Sequence, residues 1–296
     1  MKATGNKTPF SSMKLLPKAA LLLISAALPL TISPALAGYG SKTEPGKSSA
    51  STKLPAIVAH RGGKRWAPEN SMAAFSRSVE AGVDGIELDI HKCKSGELVV
   101  IHDDTLERTT NGKGYVKDKT WEELKDLDCG SWYDKSFKDE RLPLLKDVLK
   151  LVNGKLTVNI EIKNCPMNYQ GIAEDLLKLL SDYKYPDKIV ISSFDHKVLK
   201  AIAAREKKYK LALLGDSVIF DLGKYAATVG AKAWNPAFDC VRDDTVSDAH
   251  RNNLEVNTWT VNDSEGFARA VQLKVDAIIT DDPIGLRKFL AAGSKQ

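Results

Sequence analysis

Short apolar runs alternate with helical patterns along most of this chain, and that alternation limits its fold more than any other feature. The runs cover residues 56–59, 85–90, 98–101, 156–162, 188–192, 211–214, 231–234, 255–260 and 276–280. Apolar strands separated by helices are the mark of a parallel sheet with crossover helices. Helix signals fill the gaps. Asn70 is placed to cap a helix whose Met72, Phe75 and Val79 share one face and which Gly82 ends, and Thr120-Trp-Glu-Glu123 fits a capping box. Further helical patterns run over residues 172–180, 197–205, 265–271 and 284–290. Nine strand candidates are one too many for an eightfold barrel. Between Ile90 and Leu98 there is room only for a turn, whereas a parallel crossover takes about a dozen residues, so a hairpin excursion fits there. Residues 103–141, rich in turns and aromatics, read as an insertion lying over one mouth of the fold as a lid.

The N-terminus carries a different signal. Lys14 and Lys18 precede the apolar stretch 19–28, and Ala35-Leu-Ala37 supplies small residues before Gly38, so residues 1–37 read as a signal peptide. Pro29 and Pro34 interrupt a run already shorter than the roughly 20 residues a membrane span needs. Export to a bacterial periplasm or beyond the cell is therefore expected, with no stable membrane anchor after cleavage. Residues 38–54 read as a flexible linker and 55–293 as one catalytic domain. The net charge of +5 resides mostly in the leader, whose four lysines face no acidic residue; the remainder holds 39 Lys and Arg against 38 Asp and Glu. A near-neutral body gives no basic stripe for nucleic acid. Cys93, Cys129, Cys165 and Cys240 are too widely spaced for a zinc or redox pair, and read as structural thiols or disulfides. Nothing in the sequence fixes an oligomeric state.

Polar residues recur at the ends of the apolar strands. Glu87 and Asp89 share one strand face, as do Glu161 and Lys163, while His60 and His102 each follow an apolar run. In an α/β barrel the carboxyl-terminal strand ends build the active site. Each of these features alone also suits a solvated strand face or a structural ion pair. Together they bring three carboxylates into one apolar setting, which costs several kcal/mol per ion unless a cation is present.

The motifs His60-Arg-Gly-Gly, Pro68-Glu-Asn-Ser71, Gly82-Val-Asp-Gly-Ile-Glu-Leu-Asp89, Val99-Val-Ile-His-Asp103, Leu106-x-Arg-Thr-Thr110 and Glu161-Ile-Lys163, with Ser192-Ser-Phe194, Trp259-Thr-Val-Asn262 and Ile278-Ile-Thr-Asp281, follow in order. This series resembles the glycerophosphodiester phosphodiesterase family from residue 56 to 283. The resemblance implies a (β/α)8 barrel of the triosephosphate-isomerase type with a small insertion after the third strand. It implies His60 and His102 as the general acid/base pair, and Glu87, Asp89 and Glu161 as ligands of one divalent cation. Arg61 and Lys163 would then face the phosphate. Oxygen donors suit Mg²⁺ or Ca²⁺, with Mn²⁺ also admitted. Trp259, at a strand end, suits either an alcohol or ammonium group of the substrate or the filling of the barrel, and Asp281 and Phe194 read as mainly structural. The reaction implied is hydrolysis of a small glycerophosphodiester to glycerol 3-phosphate and an alcohol. A lipid substrate, a two-lobed solute-binding protein and a Schiff-base role for Lys163 are the competing readings.

Overall fold

The computed structural model describes residues 53–293. The expected signal peptide and all but the end of the expected linker lie outside the described residues.

The nine strands are β1 (Ala56–Ala59), β2 (Gly85–Lys92), β3 (Leu98–Val100), β4 (Thr157–Ile162), β5 (Ile189–Ser193), β6 (Lys210–Gly215), β7 (Ala233–Pro236), β8 (Glu255–Thr258) and β9 (Ala277–Thr280). Eight of them run parallel in the order β1-β9-β8-β7-β6-β5-β4-β2, and the pairing of β1 with β2 closes the barrel. β3 is the surplus strand. It pairs antiparallel with the far end of β2, Ile90 opposite Val100 and Lys92 opposite Leu98, so the short 90–98 connection does make a hairpin. Main-chain alternation then places Glu87 and Asp89 of β2 on the inner face, with Asp89 directly across from Glu161 on β4.

The outer layer comprises α1 (Met72–Ala81), α3 (Leu145–Val152), α4 (Ile172–Leu180), α5 (His196–Arg205), α6 (Leu222–Val229), α7 (Asp243–Arg251), α8 (Ser264–Gln272) and α9 (Pro283–Gly293), with α2 (Trp121–Leu124) in the insertion. α1 ends as expected, at Gly82 in the left-handed conformation with φ of 60°. Its start differs from the expectation. Ser71 is the cap, accepting from the Ala74 amide, while Asn70 is drawn into the barrel and donates from Nδ2 to Asp89 Oδ2 at 2.8 Å. The capping box at Thr120 and Glu123 is present. The four cysteines are free thiols, and only Cys165 is exposed.

The main core lies between the barrel and its helices, built around Phe75, Ile86, Leu88, Ile160, Leu176 and Trp234. Phe75 is fully buried against the barrel, so Phe75→Ala is expected to lower the unfolding free energy by about 3–5 kcal/mol, measurable as a fall in the urea midpoint. The insertion has a second small core, in which Val99 and Ile101 meet Leu106, Val116, Leu124 and Leu144. It therefore packs on the flank beside β3. Of residues 103–141, expected as a lid, none lines the cavity between His60, His102 and Trp259, while Asp103 and Asp104 line a second one beside His102 and Lys163, so the insertion borders the site from its flank.

Candidate active site

β1 leads directly into one 3₁₀ turn, His60–Gly62. Arg61, Gly62 and Gly63 have φ of 51°, 82° and 87°, a left-handed path that reverses the chain and points the His60 and Arg61 side chains back over the barrel. A Cβ on Gly62 would come 2.9 Å from both Ala74 Cβ and the Phe75 ring, so this turn also needs glycine for space.

Above the barrel the three carboxylates converge. Glu87, Asp89 and Glu161 each offer an oxygen, all within 4.8 Å of one another, and all three residues are buried. Two cations flank them. Lys163 Nζ lies 2.7 Å from Glu161 Oε1 and 3.7 Å from Asp89 Oδ1, and Arg61 donates from its main-chain N to Glu87 Oε2 at 2.8 Å, with its Nε 3.7 Å from Asp89 Oδ2. The charges do not balance locally. Burial and the neighbouring Asp89 push Glu161 up to about 7 and raise Glu87 well above its ordinary value, whereas Asp89 stays ionised despite burial because Lys163 and Arg61 outweigh it. Asp89 Oδ1 accepts no hydrogen bond although it is buried. An unpartnered carboxylate oxygen amid three crowded carboxylates fits a divalent cation, and a purely oxygen donor set fits Mg²⁺, Ca²⁺ or Mn²⁺ better than zinc. Saturation with such a cation at about 100 times its Kd is expected to stabilise the fold by about 2.7 kcal/mol, read as a rise in Tm that chelator reverses.

The two histidines line one cavity beside this cluster and are held alike. His60 Nδ1 lies 2.6 Å from Asp281 Oδ1, and Arg61 Nε donates to His60 Nε2 at 3.3 Å. His102 Nδ1 lies 2.7 Å from Asp103 Oδ1, and Lys163 Nζ donates to His102 Nε2 at 3.2 Å. In each ring the proton sits on Nδ1 and the lone pair on Nε2 is turned to the cavity. Burial lowers the pKa of both, against the pull of Asp281 on His60 and of Asp89 on His102. Lys163 is held protonated by Asp89 and Glu161 in spite of its burial, which removes the free amine that a Schiff-base role requires.

The strand ends thus bring all eight expected residues to one place. His60, Arg61, Glu87, His102, Glu161, Lys163 and Trp259 line one cavity, and Asp89 lies among the carboxylates at its floor. Trp259 does not fill the barrel; its Nε1 donates to the Asn235 carbonyl at 2.9 Å and its ring meets the edge of Phe194 with centroids 5.8 Å apart. Phe194 lines the same cavity. Asp281, expected to be structural, is the anchor of His60, itself held by Asn262 Nδ2 at 2.8 Å. Asp103, Glu69 and Asn70 were inside the quoted motifs but without a site role. Asp103 holds His102, Glu69 accepts from Arg61 Nη1 at 2.7 Å, and Asn70 holds Asp89. His91 adds a further hold, its Nε2 donating to the His102 carbonyl at 3.0 Å.

Known proteins resemble this chain in sequence and in fold. The model of the glycerophosphoryl diester phosphodiesterase family matches residues 60–284. A glycerophosphodiester phosphodiesterase of Caldanaerobacter subterraneus subsp. tengcongensis is 40% identical over 238 residues, which cover 80% of this chain and 98% of that one. Among solved structures, a glycerophosphodiester phosphodiesterase named as putative from Galdieria sulphuraria superposes with a TM-score of 0.74 at 27% identity, over 82% of this chain and 100% of that one. A phosphodiesterase of Oleispira antarctica, solved with the product sn-glycerol-3-phosphate, shares the fold with a TM-score of 0.74 at 24% identity, over 80% of this chain and 97% of its own. A closed parallel barrel, an acidic triad beside two carboxylate-anchored histidines, and a family match across 60–284 place the chain in the glycerophosphoryl diester phosphodiesterase family, whose members are phosphoric diester hydrolases.

Proposed function

We propose that the protein hydrolyses small glycerophosphodiesters to glycerol 3-phosphate and an alcohol, using one divalent cation and the pair His60 and His102. The observation that carries this reading is that two carboxylate-anchored histidines, His60 and His102, line one cavity with Glu87 and Glu161 of the acidic cluster. Arg61 and Lys163, the cations beside that cluster, bind and orient the phosphodiester anion. A cation held by the three carboxylates would neutralise the phosphodiester and stabilise charge on its oxygens. One histidine accepts at Nε2 the proton of the attacking hydroxyl, and the other, which must enter the reaction as imidazolium with a second proton taken from solvent at Nε2, delivers that proton to the leaving alkoxide. Asp281 and Asp103 stabilise each ring when it becomes imidazolium. Phe194 and Trp259 give the alcohol an aromatic corner suited to an apolar or quaternary ammonium group.

The pH dependence follows from the sign of the histidine shifts. Both lie below the ordinary value of 6.5, and a bound cation would lower them further. The histidine acting as base is therefore already neutral near pH 7. A plot of kcat/KM against pH is expected to fall on its acid side only below pH 6.5, as that ring gains its proton; an acid limb centred above 6.5 contradicts the assignment.

One observation favours a second substrate. The loop after β6 exposes Val218 and Phe220, the latter 96% exposed, at the same end of the barrel as the cavity. An apolar rim there suits a glycerophosphodiester bearing an acyl chain. Parallel assays of glycerophosphocholine and lysophosphatidylcholine separate the two. The leader supports the accompanying proposal of export, which cell fractionation of the full chain tests.

A further inference from the structure

Arg108, on the insertion, lies outside the catalytic cavity yet joins the carboxylates behind it. Its Nε and Nη2 donate to the two oxygens of Asp103 at 2.6 and 2.9 Å, and its Nη1 and Nη2 donate to the two oxygens of Glu69 at 3.0 and 2.8 Å. Asp103 in turn holds the His102 ring by Nδ1, and Glu69 holds the Arg61 guanidinium by Nη1. A single planar group therefore sits between the partner of a proton-transfer residue and the partner of a phosphate-facing cation.

We propose that Arg108 is a positioning residue that braces the two sides of the active site, His102 through Asp103 and Arg61 through Glu69, and that the insertion serves the site by supplying it. This rests on the reading of the site given above. The planar fork of a guanidinium fixes its N–H directions, so gripping two carboxylates at once fixes them relative to each other. A lysine, with one point charge, cannot do so. The Arg108 side chain is 43% exposed, so its pair with half-buried Asp103 contributes only about 0–1 kcal/mol to the fold, and buried Glu69 keeps Arg61 as a partner when Arg108 is removed. The Nδ1 of His60 is anchored separately, by Asp281 and Asn262, so the brace reaches that ring only through the Arg61 contact at Nε2, whereas it holds the Nδ1 partner of His102 directly. Without it Asp103 keeps no cationic partner among its hydrogen bonds, and His102 Nδ1–H loses a fixed acceptor.

The test compares Arg108→Lys, Arg108→Met and Arg108→Ala with the parent chain, each loaded with Mg²⁺. All three are expected to lose about 10- to 100-fold in kcat, the size of effect that follows a misplaced catalytic group, with a smaller change in KM and little change in Tm. Added guanidinium ion should recover part of the loss in Arg108→Ala and none in Arg108→Met, whose side chain fills the space. Retention of kcat within twofold in the lysine and methionine variants overturns the proposal, as does a loss in Arg108→Ala that guanidinium leaves unchanged. A second readout does not depend on turnover. The Nδ1–H proton of His102, held by Asp103, should give a downfield imidazole NMR signal that vanishes in Arg108→Ala while the His60 signal persists. Persistence of both signals overturns the brace. Lack of turnover in the parent refutes the proposed function instead, and the NMR comparison still decides the role of Arg108.

Discussion

Asp89→Ala is expected to abolish divalent-cation binding and to lower glycerol 3-phosphate release by roughly 10³-fold or more, since a catalytic cation supplies several kcal/mol of charge stabilisation. Asp89 is the centre of the acidic cluster. Its Oδ2 takes the Asn70 amide, its Oδ1 has no hydrogen-bond partner, and Arg61 and Lys163 stand at 3.7 Å on either side. It is also the carboxylate that those two cations keep ionised, whereas Glu87 and Glu161 are pushed toward their neutral forms by burial and by Asp89 itself. Removing it leaves two ligands of the three, with Arg61 and Lys163 still beside a site that has lost one negative charge. Titration calorimetry of the metal-free protein with Mg²⁺ and with Ca²⁺ should show binding in the parent and none in the variant. The variant should remain folded, because Asp89→Ala also relieves repulsion among three buried carboxylates. Binding of either ion by Asp89→Ala with near-parental affinity would remove the cluster as the metal site.

The second large effect belongs to the histidines. His102→Ala should lower kcat roughly 10²- to 10⁴-fold, the usual worth of a positioned acid or base, while leaving cation affinity nearly unchanged because the ring makes no hydrogen bond to the triad. His60→Ala should fall in the same range. The double variant should lose little more than the weaker single, since a proton must both leave the nucleophile and reach the leaving group in one reaction, and groups that act as a unit are not additive. Steady-state kinetics on all three, with circular dichroism to establish folding, checks this. Independent, multiplicative losses would mean that the two rings do not share one reaction.

The barrel was legible in the sequence for a physical reason. Strands buried on both faces are apolar along their whole length, so the inward Glu87, Asp89, Asn159 and Glu161 stand out against Ile86, Leu88, Ile160 and Ile162. The antiparallel place of β3 followed from chain length alone, because no crossover fits between residues 92 and 98. The cap of α1 was read one residue early. Asn70 is a good cap by type, but its bond to Asp89 inside the barrel prevails, and neighbouring Ser71 takes the cap. Helices α3, α6 and α7 went unread. α6 is bounded by the left-handed Asp221 and Gly230, α7 offers only Val246 and Ala249 as buried apolar residues among many charged ones, and α3 carries a plain stripe, Leu145, Val148, Leu149 and Val152, that was passed over. The supports of the site were the least legible part. Asp281 lies 221 residues from the His60 it anchors, and Glu69 lies 39 from the Arg108 it meets, and only barrel closure makes such pairs. Their visible signal was position, since Asp281 directly follows β9 as His60 directly follows β1.

The most direct test is release of glycerol 3-phosphate from glycerophosphocholine by the mature chain, first with chelator and then with Mg²⁺ or Ca²⁺ restored. Release that stops with chelator and returns with the cation is the predicted result. A folded protein that releases none under either metal, or one whose release is indifferent to chelator, contradicts a metal-dependent phosphodiesterase built on Glu87, Asp89 and Glu161.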